Sequence, residues 1–217
     1  MVRRHVKTFG LILFMLIGYG LSLLPLMLVQ PHLQFQPFLG AFFIWLFLFV
    51  LSLPFLLRTI IRRVWFFKGK GEPVIMDLLE SMLMGVNDFR APVIVRKKRG
   101  RLILSWRCDE PKWCEQMALE GIRKNYELKL RFDRNTRTVS MIDRVRSVDF
   151  DLCPIRVKSG FIATPRFYCG VQTGQQWGLK NFNNTTADQY RFKPQELKSP
   201  IFNTIIANGW NVRFDLF

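Results

Sequence analysis

The sequence predicts an α+β membrane protein: an N-terminal two-helix transmembrane hairpin followed by a cytoplasmic, mainly antiparallel β domain with two or three short helices. Three observations carry that prediction. Residues 8–57 run for fifty positions without Lys, Arg, Asp or Glu. Basic residues crowd both flanks of that run and are absent from its middle. From residue 91 onward, short β-rich runs with alternating apolar residues are separated by turn residues, with helical patterns between some of them.

A bilayer core of roughly 30 Å takes about 20 apolar residues as helix, so fifty residues suit two spans and a turn. The turn falls at Gln30-Pro31-His32-Leu33-Gln34-Phe35-Gln36-Pro37, where the amides and two prolines cluster. Amides prefer water to lipid and proline interrupts the helical ladder. The spans are therefore placed near residues 9–29 and 38–57, with Pro37 suited to a first turn. A cleaved signal peptide is the alternative for the first span, but the run exceeds a typical h-region and no small-residue cleavage site follows.

Arg3, Arg4 and Lys7 precede the run, and Arg58, Arg62, Arg63, Lys68 and Lys70 follow it. The positive-inside rule then puts both termini in the cytoplasm, making the chain a two-pass protein of a bacterial inner (plasma) membrane. Arg58, Arg62, Arg63, Trp65 and Lys68 form the expected membrane-interface group, each cation gaining on the order of 1 kcal/mol beside anionic lipid. Gly18, Ser22 and Gly40 give the spans small faces suited to close helix packing.

The chain splits into residues 1–72, holding the tail, hairpin and basic juxtamembrane segment, and a domain over residues 73–217. Of the net charge of +16, residues 1–70 supply eight cations and no acid, leaving 24 − 16 = +8 for the remainder. Half the excess thus belongs to topology, and nucleic acid ranks behind lipid and protein as a partner. Four cysteines lie beyond residue 100, and a cytoplasmic domain would keep them as reduced thiols.

Along the domain, residues 73–84 read as a helix opened by Pro73 and stopped by Gly85. Residues 91–98 and 101–107 read as a hairpin turning at Arg99-Gly100. A short helix follows Pro111, and residues 126–132 and 137–143 form a second hairpin. Val148, Phe150 and Leu152 suggest a further strand, and residues 190–193 another. Ser199-Pro200 reads as the start of a helix over 201–207, Asn208-Gly209 as its stop, and residues 210–216 as a terminal strand.

The two histidines are His5 and His32, so the domain has none. Ser-His-Asp, Cys-His and His-based zinc chemistry are excluded there. The cysteine spacing lacks any C-x-x-C, and the glycines of 170–178 lack the Gly-Lys-Ser/Thr of a phosphate loop. Asp149 with Asp151 reads as a solvated strand face, and Asp109-Glu110 as a helix cap. No catalytic residue, metal or cofactor is expected. The densest charge cluster, Arg96, Lys97, Lys98, Arg99 and Arg101, is the candidate site for an anion or lipid headgroup. Arg131, Arg134, Arg137, Arg144 and Arg146 are placed to extend it.

The expected role is non-enzymatic: a basic cytoplasmic domain that binds a protein partner or anionic ligand as a subunit or scaffold of a membrane assembly. Membrane lipids and other protein subunits, or further copies of the chain, are the expected partners. The alternative is a membrane-disrupting effector of defence or toxin type, in which the domain senses a nucleotide, nucleic-acid or protein signal and the spans oligomerise.

Overall fold

The computed structural model describes residues 2–32, 34–122, 124–147, 164–174, 177–184 and 190–217. It divides into two compact units, Met1–Trp65 and Phe66–Phe217.

The first unit is a helical hairpin. Helix α1 spans Val2–Val29 and α2 spans Phe35–Val64, joined through a 3-10 turn at Gln30–His32. Both are long and apolar enough to cross a membrane. Both also exceed the predicted spans, because the flanking cations continue the helices instead of ending them. Pro25 and Pro54 lie inside the helices, and Pro37 is the third residue of α2. Polar side chains find partners across the hairpin: the Tyr19 and Ser52 hydroxyls are 2.5 Å apart, and Trp45 Nε1 donates to Ser22 Oγ at 3.0 Å. In an apolar medium a hydroxyl without a partner is costly, so these pairs fix the helices' rotation. At the other end Arg4 donates to the Val64 carbonyl at 2.7 Å, placing a cation on the C-terminal dipole of α2.

The second unit is built on a mixed sheet. Its strands are β1 (Phe66–Phe67), β2 (Val93–Lys98), β3 (Arg101–Trp106), β4 (Lys124–Asp133), β5 (Thr138–Ser147), β6 (Thr164–Pro165) and β7 (Asn211–Asp215). The order is β1-β7-β5-β4-β3-β2, with β6 paired to the far end of β5. All pairs are antiparallel except β5–β7, which is parallel. A parallel neighbour demands a crossover, and helix α6 (Pro194–Ala207) lies in the chain between those two strands. The other helices among the described residues are α3 (Met76–Met84), α4 (Pro111–Leu119) and α5 (Lys180–Asn184).

The core lies on one face of this sheet. Val95, Leu104, Leu128, Leu130, Met141, Val212 and Phe214 are buried there, with Leu197, Ile201, Phe202 and Ile205 of α6 and Leu79 and Leu83 of α3. Each such side chain contributes about 1.5–3 kcal/mol as an upper estimate. An aromatic cluster closes the β7 end, with Phe67 packed 4.8 Å from Phe202 and 5.3 Å from Phe214.

Several expectations change. Helix α3 starts at Met76, not Pro73, because Ile75 is extended and Val74 is tied down: the Val74 amide donates to the Asn208 carbonyl and its own carbonyl accepts from Trp210 Nε1. Gly85 does not stop the chain's winding, which continues as a 3-10 turn through Asp88. Helix α6 starts at Pro194 rather than Pro200, a better first-turn proline because Lys193 is extended before it. Residues 190–193 are irregular instead of a strand. The two hairpins and the terminal strand match expectation within a few residues, with the first hairpin turning on left-handed Arg99 and Gly100 (φ 51° and 68°). The strand expected at 148–152 and the pair Asp149 and Asp151 fall outside the described residues. Cys108 and Cys169 are free thiols, but Cys114 is disulfide-bonded, against the expectation of four reduced cysteines. That expectation came from the inferred compartment, not from geometry.

Gly209 is where the crossover closes. Its φ is +77°, and a Cβ there would stand 2.5 Å from the backbone of Glu72 and Pro73. Gly209→Ala combines a disfavoured backbone conformation with a clash that only main-chain movement relieves, and is expected to cost more than 2 kcal/mol. Gly100→Ala meets open space at φ +68° and should cost only about 1 kcal/mol. Thermal unfolding of the two variants in mild detergent checks this; equal shifts in Tm would contradict it.

Candidate anion-binding face

The strand register divides the basic cluster between the two faces of the sheet. Side chains alternate along a strand, so Lys97 shares a face with Val95 and the core, while Arg96 and Lys98 point the other way. Lys97 Nζ is 2.5 Å from Glu80 of α3, whose side chain is only 8% exposed. It therefore pins a helix and is not brought to the other cations. Arg99 sits in the turn itself. Arg96 pairs with Asp109 at 3.0 Å, with both side chains more than half exposed, a contact worth little in water.

The face opposite the core gathers the rest. Arg96 lies opposite Ile103, Ile103 opposite Lys129, and Lys129 opposite Ile142. Lys98 lies opposite Arg101, and Arg101 and Arg131 flank the Leu102–Leu130 pair on one side. Arg144 stands opposite Glu127, and Arg146 reaches diagonally to the Glu127 carboxylate at 3.0 Å. Arg213 of β7 donates to Ser140 Oγ at 3.0 Å. Three of the sequence's candidate extensions, Arg131, Arg144 and Arg146, thus join the patch. Arg134 instead pairs with Asp77 at 3.2 Å, and Arg137 holds a left-handed turn position (φ 47°).

Lys129 reports the electrostatics of this face. Its pKa is lowered, first by desolvation and then by the Arg144, Arg101 and Arg131 charges. Arg96, Lys98 and Arg131 are exposed, Arg101, Lys129, Arg144 and Arg146 half-buried, and Ser140 and Ile142 buried at the strand centres. Exposure therefore rises toward the β2 edge. Lys129 is the residue that sequence reasoning missed. Its signal was the alternation Glu127, Lys129, Arg131 on the strand face away from Leu128 and Leu130.

A second cluster lies on the core side. Lys198 of α6 is fully buried and donates to Asp143 Oδ2 at 2.7 Å and to the Tyr168 carbonyl at 2.7 Å. Its ammonium lies 3.7 Å from the centre of the Phe214 ring. Asp143 Oδ1 accepts from the Tyr126 hydroxyl at 2.5 Å, and Oδ2 also accepts from the Tyr168 amide at 3.1 Å. Burial lowers the Lys198 pKa, which Asp143 opposes, and it pushes Tyr126 well up. The neighbouring Cys169 thiol is pushed up to about 11 by desolvation and Cys108 up to about 12, so neither is a nucleophile at neutral pH. Each polar atom of the Lys198–Asp143 pair has a partner and the pair is closed to solvent. It is a clamp.

The hairpin residues resolve differently. Ser22 takes part in the cross-helix pair with Trp45, but Gly18 and Gly40 have nothing within 4 Å of where a Cβ would stand. Their small faces are not used within the hairpin. Of the interface group, Arg63 and Lys68 are exposed and Arg58 and Arg62 half-buried. Trp65 is fully buried, because its indole donates to Thr8 Oγ1 at 3.1 Å and the His5 ring packs edge-on at 5.0 Å. An open apolar groove of about 570 Å³ runs beside Tyr19, Trp45 and Phe55. Among the described residues no group of His, Cys, Asp or Glu could hold a metal ion.

Fold and site together define an α+β protein with two long apolar helices and a sheet whose outer face is cationic. Comparison of the chain with models of known families, with characterised proteins and with solved structures finds no match in any of the three.

The clamp generates a prediction. Lys198→Met leaves the Asp143 carboxylate buried without its cation and should cost roughly 3–5 kcal/mol, as should Asp143→Asn. The double variant should cost clearly less than the sum of the two. Denaturant unfolding of the full chain in detergent, followed by tryptophan fluorescence, measures the cycle. Additive single losses would mean the pair is not coupled.

Proposed function

We propose that this chain is a two-span membrane protein that holds a cationic sheet face at the bilayer surface, where it binds an anionic partner as a subunit or scaffold of a membrane assembly. One observation carries the reading: Arg96, Lys98, Arg101, Lys129, Arg131, Arg144 and Arg146 share a face on which the strands place two acids, Glu127 and Asp215, with Asp109 paired to Arg96 at its edge. Like charges on one face repel, and the lowered Lys129 pKa reports part of that repulsion. An anionic partner removes it, so binding and relief of repulsion reinforce each other.

The basic flanks of the hairpin support a cytoplasmic domain and an inner-membrane location. A second reading places the domain on the opposite side, and the disulfide at Cys114 favours it, since disulfides persist in oxidising compartments. A cysteine added at position 217 decides between them. Impermeant thiol reagent applied to intact cells should leave it unmodified if the domain is cytoplasmic; modification would support the second reading.

Binding is tested with the full chain in a zwitterionic detergent on an immobilised polyanion. Reversal of Arg96, Lys98, Arg101 and Arg131 to Glu should move elution to much lower salt. The same change of net charge made at Lys70, Arg90, Lys112 and Lys193, all exposed off the sheet strands, should move it far less. Equal shifts would reduce the face to bulk charge and contradict the reading.

A further inference from the structure

The register carries the cationic face to β1, the first strand in the chain. Arg213 lies opposite both Phe66 on β1 and Ser140 on β5, and Ser140 lies opposite Arg131. With Arg101 beside Arg131 and Lys98 opposite Arg101, one row of the sheet runs Phe66, Arg213, Ser140, Arg131, Arg101, Lys98. Adjacent strands are about 4.8 Å apart, so this row covers about 24 Å. Its first member follows the last residue of α2 by two positions. Phe66 is 40% exposed, an aromatic ring at the head of a line of cations.

We propose that the anionic partner of this face is the phosphate headgroup layer of an anionic bilayer, with Phe66, Arg131, Arg101 and Lys98 of this row lying along it. The proposal rests on the reading that the face binds anions and names the anion's source. Three features select it. The charges are spread over several strands instead of converging on one point, which matches a continuous charged plane better than a single phosphate. The side chains between them that reach the surface, Ile94 and Ile103, are aliphatic; single-stranded nucleic acid is held on aromatic platforms. Finally, an interfacial aromatic followed by Lys and Arg is the side-chain order that membrane boundaries favour, and Phe66 follows α2 by two positions in the chain.

Two native lysines serve as probes. Lys98 and Lys129 lie on the face, while Lys193 precedes α6, which packs on the opposite side. The full chain is placed in nanodiscs of phosphatidylcholine alone or with phosphatidylglycerol, and reacted briefly with an impermeant amine reagent read by mass spectrometry. The expected result is that Lys98 and Lys129 react several-fold more slowly in the phosphatidylglycerol discs, that high salt abolishes the difference, and that Lys193 is unaffected by lipid. Equal protection in both lipids would mean that protein alone covers the face, overturning the proposal. So would protection absent from both discs but conferred in phosphatidylcholine discs by an added oligonucleotide or acidic polypeptide; the face would then bind anions, but not lipid. Protection by none of these overturns both the proposal and the anion-binding reading beneath it.

Discussion

The fold of the second unit turns on a buried ion pair. Lys198 comes from the crossover helix and Asp143 from the strand at the middle of the sheet, and 55 residues separate them in the chain. Taking both charges out of water is expensive, and the expense is met only because every donor and acceptor has a partner. Tyr126 anchors the carboxylate to β4, the Tyr168 backbone bonds both members, and the Phe214 ring supports the ammonium from β7. One small polar cluster therefore joins β4, β5, β7, α6 and the segment after β6. An apolar replacement would fill the space, but it would not dictate which turn of α6 sits over which residue of β5.

That registration has consequences on the other side of the sheet. Because side chains alternate, fixing Asp143 toward the helix directs Arg144 and Ile142 outward. The β4–β5 ladder then does the same for Lys129 and Arg131. The cationic face is in this sense the reverse side of the clamp. Anchoring with Lys97 and Glu80 repeats the arrangement at the β2 edge, where one cation of the basic run is turned inward to hold α3 while its neighbours face out. The parallel β7 strand completes the surface by bringing Arg213 beside Ser140 and Phe66 beside Arg213.

Much of this was legible from local pattern. The alternation through residues 126–132, the Arg99-Gly100 turn and the fifty uncharged residues each report their element because the signal is carried by neighbours in sequence. What escaped depends on distant partners. Lys198 falls before the helix expected from Ser199-Pro200, and nothing adjacent marks it as buried. A faint sign existed in Asp143, which falls on the same alternation as Val139, Met141 and Val145 and so had to be either an interruption or a buried acid. The helix starts expected at Pro73, which is too early, and at Pro200, which is too late, misled for the same reason: proline marks a permitted start, whereas hydrogen bonds from residues 208–210 and the packing of Leu197 and Lys198 decide the actual one. The basic run was read as a single cluster, although strand alternation had to split it.

The central claim is that the sheet face bearing Arg101 and Arg131 works against an anionic surface while the clamp face does not. It is tested most directly by measuring depth. Nitroxide amino acids at Ile103, on the cationic face, and at Leu78, exposed on α3, report their distance from the lipid phosphates by power saturation in liposomes containing anionic lipid. The account predicts that the label at 103 sits at the headgroup level and the label at 78 in water. Both labels in water, or the label at 78 as the deeper of the two, would contradict it.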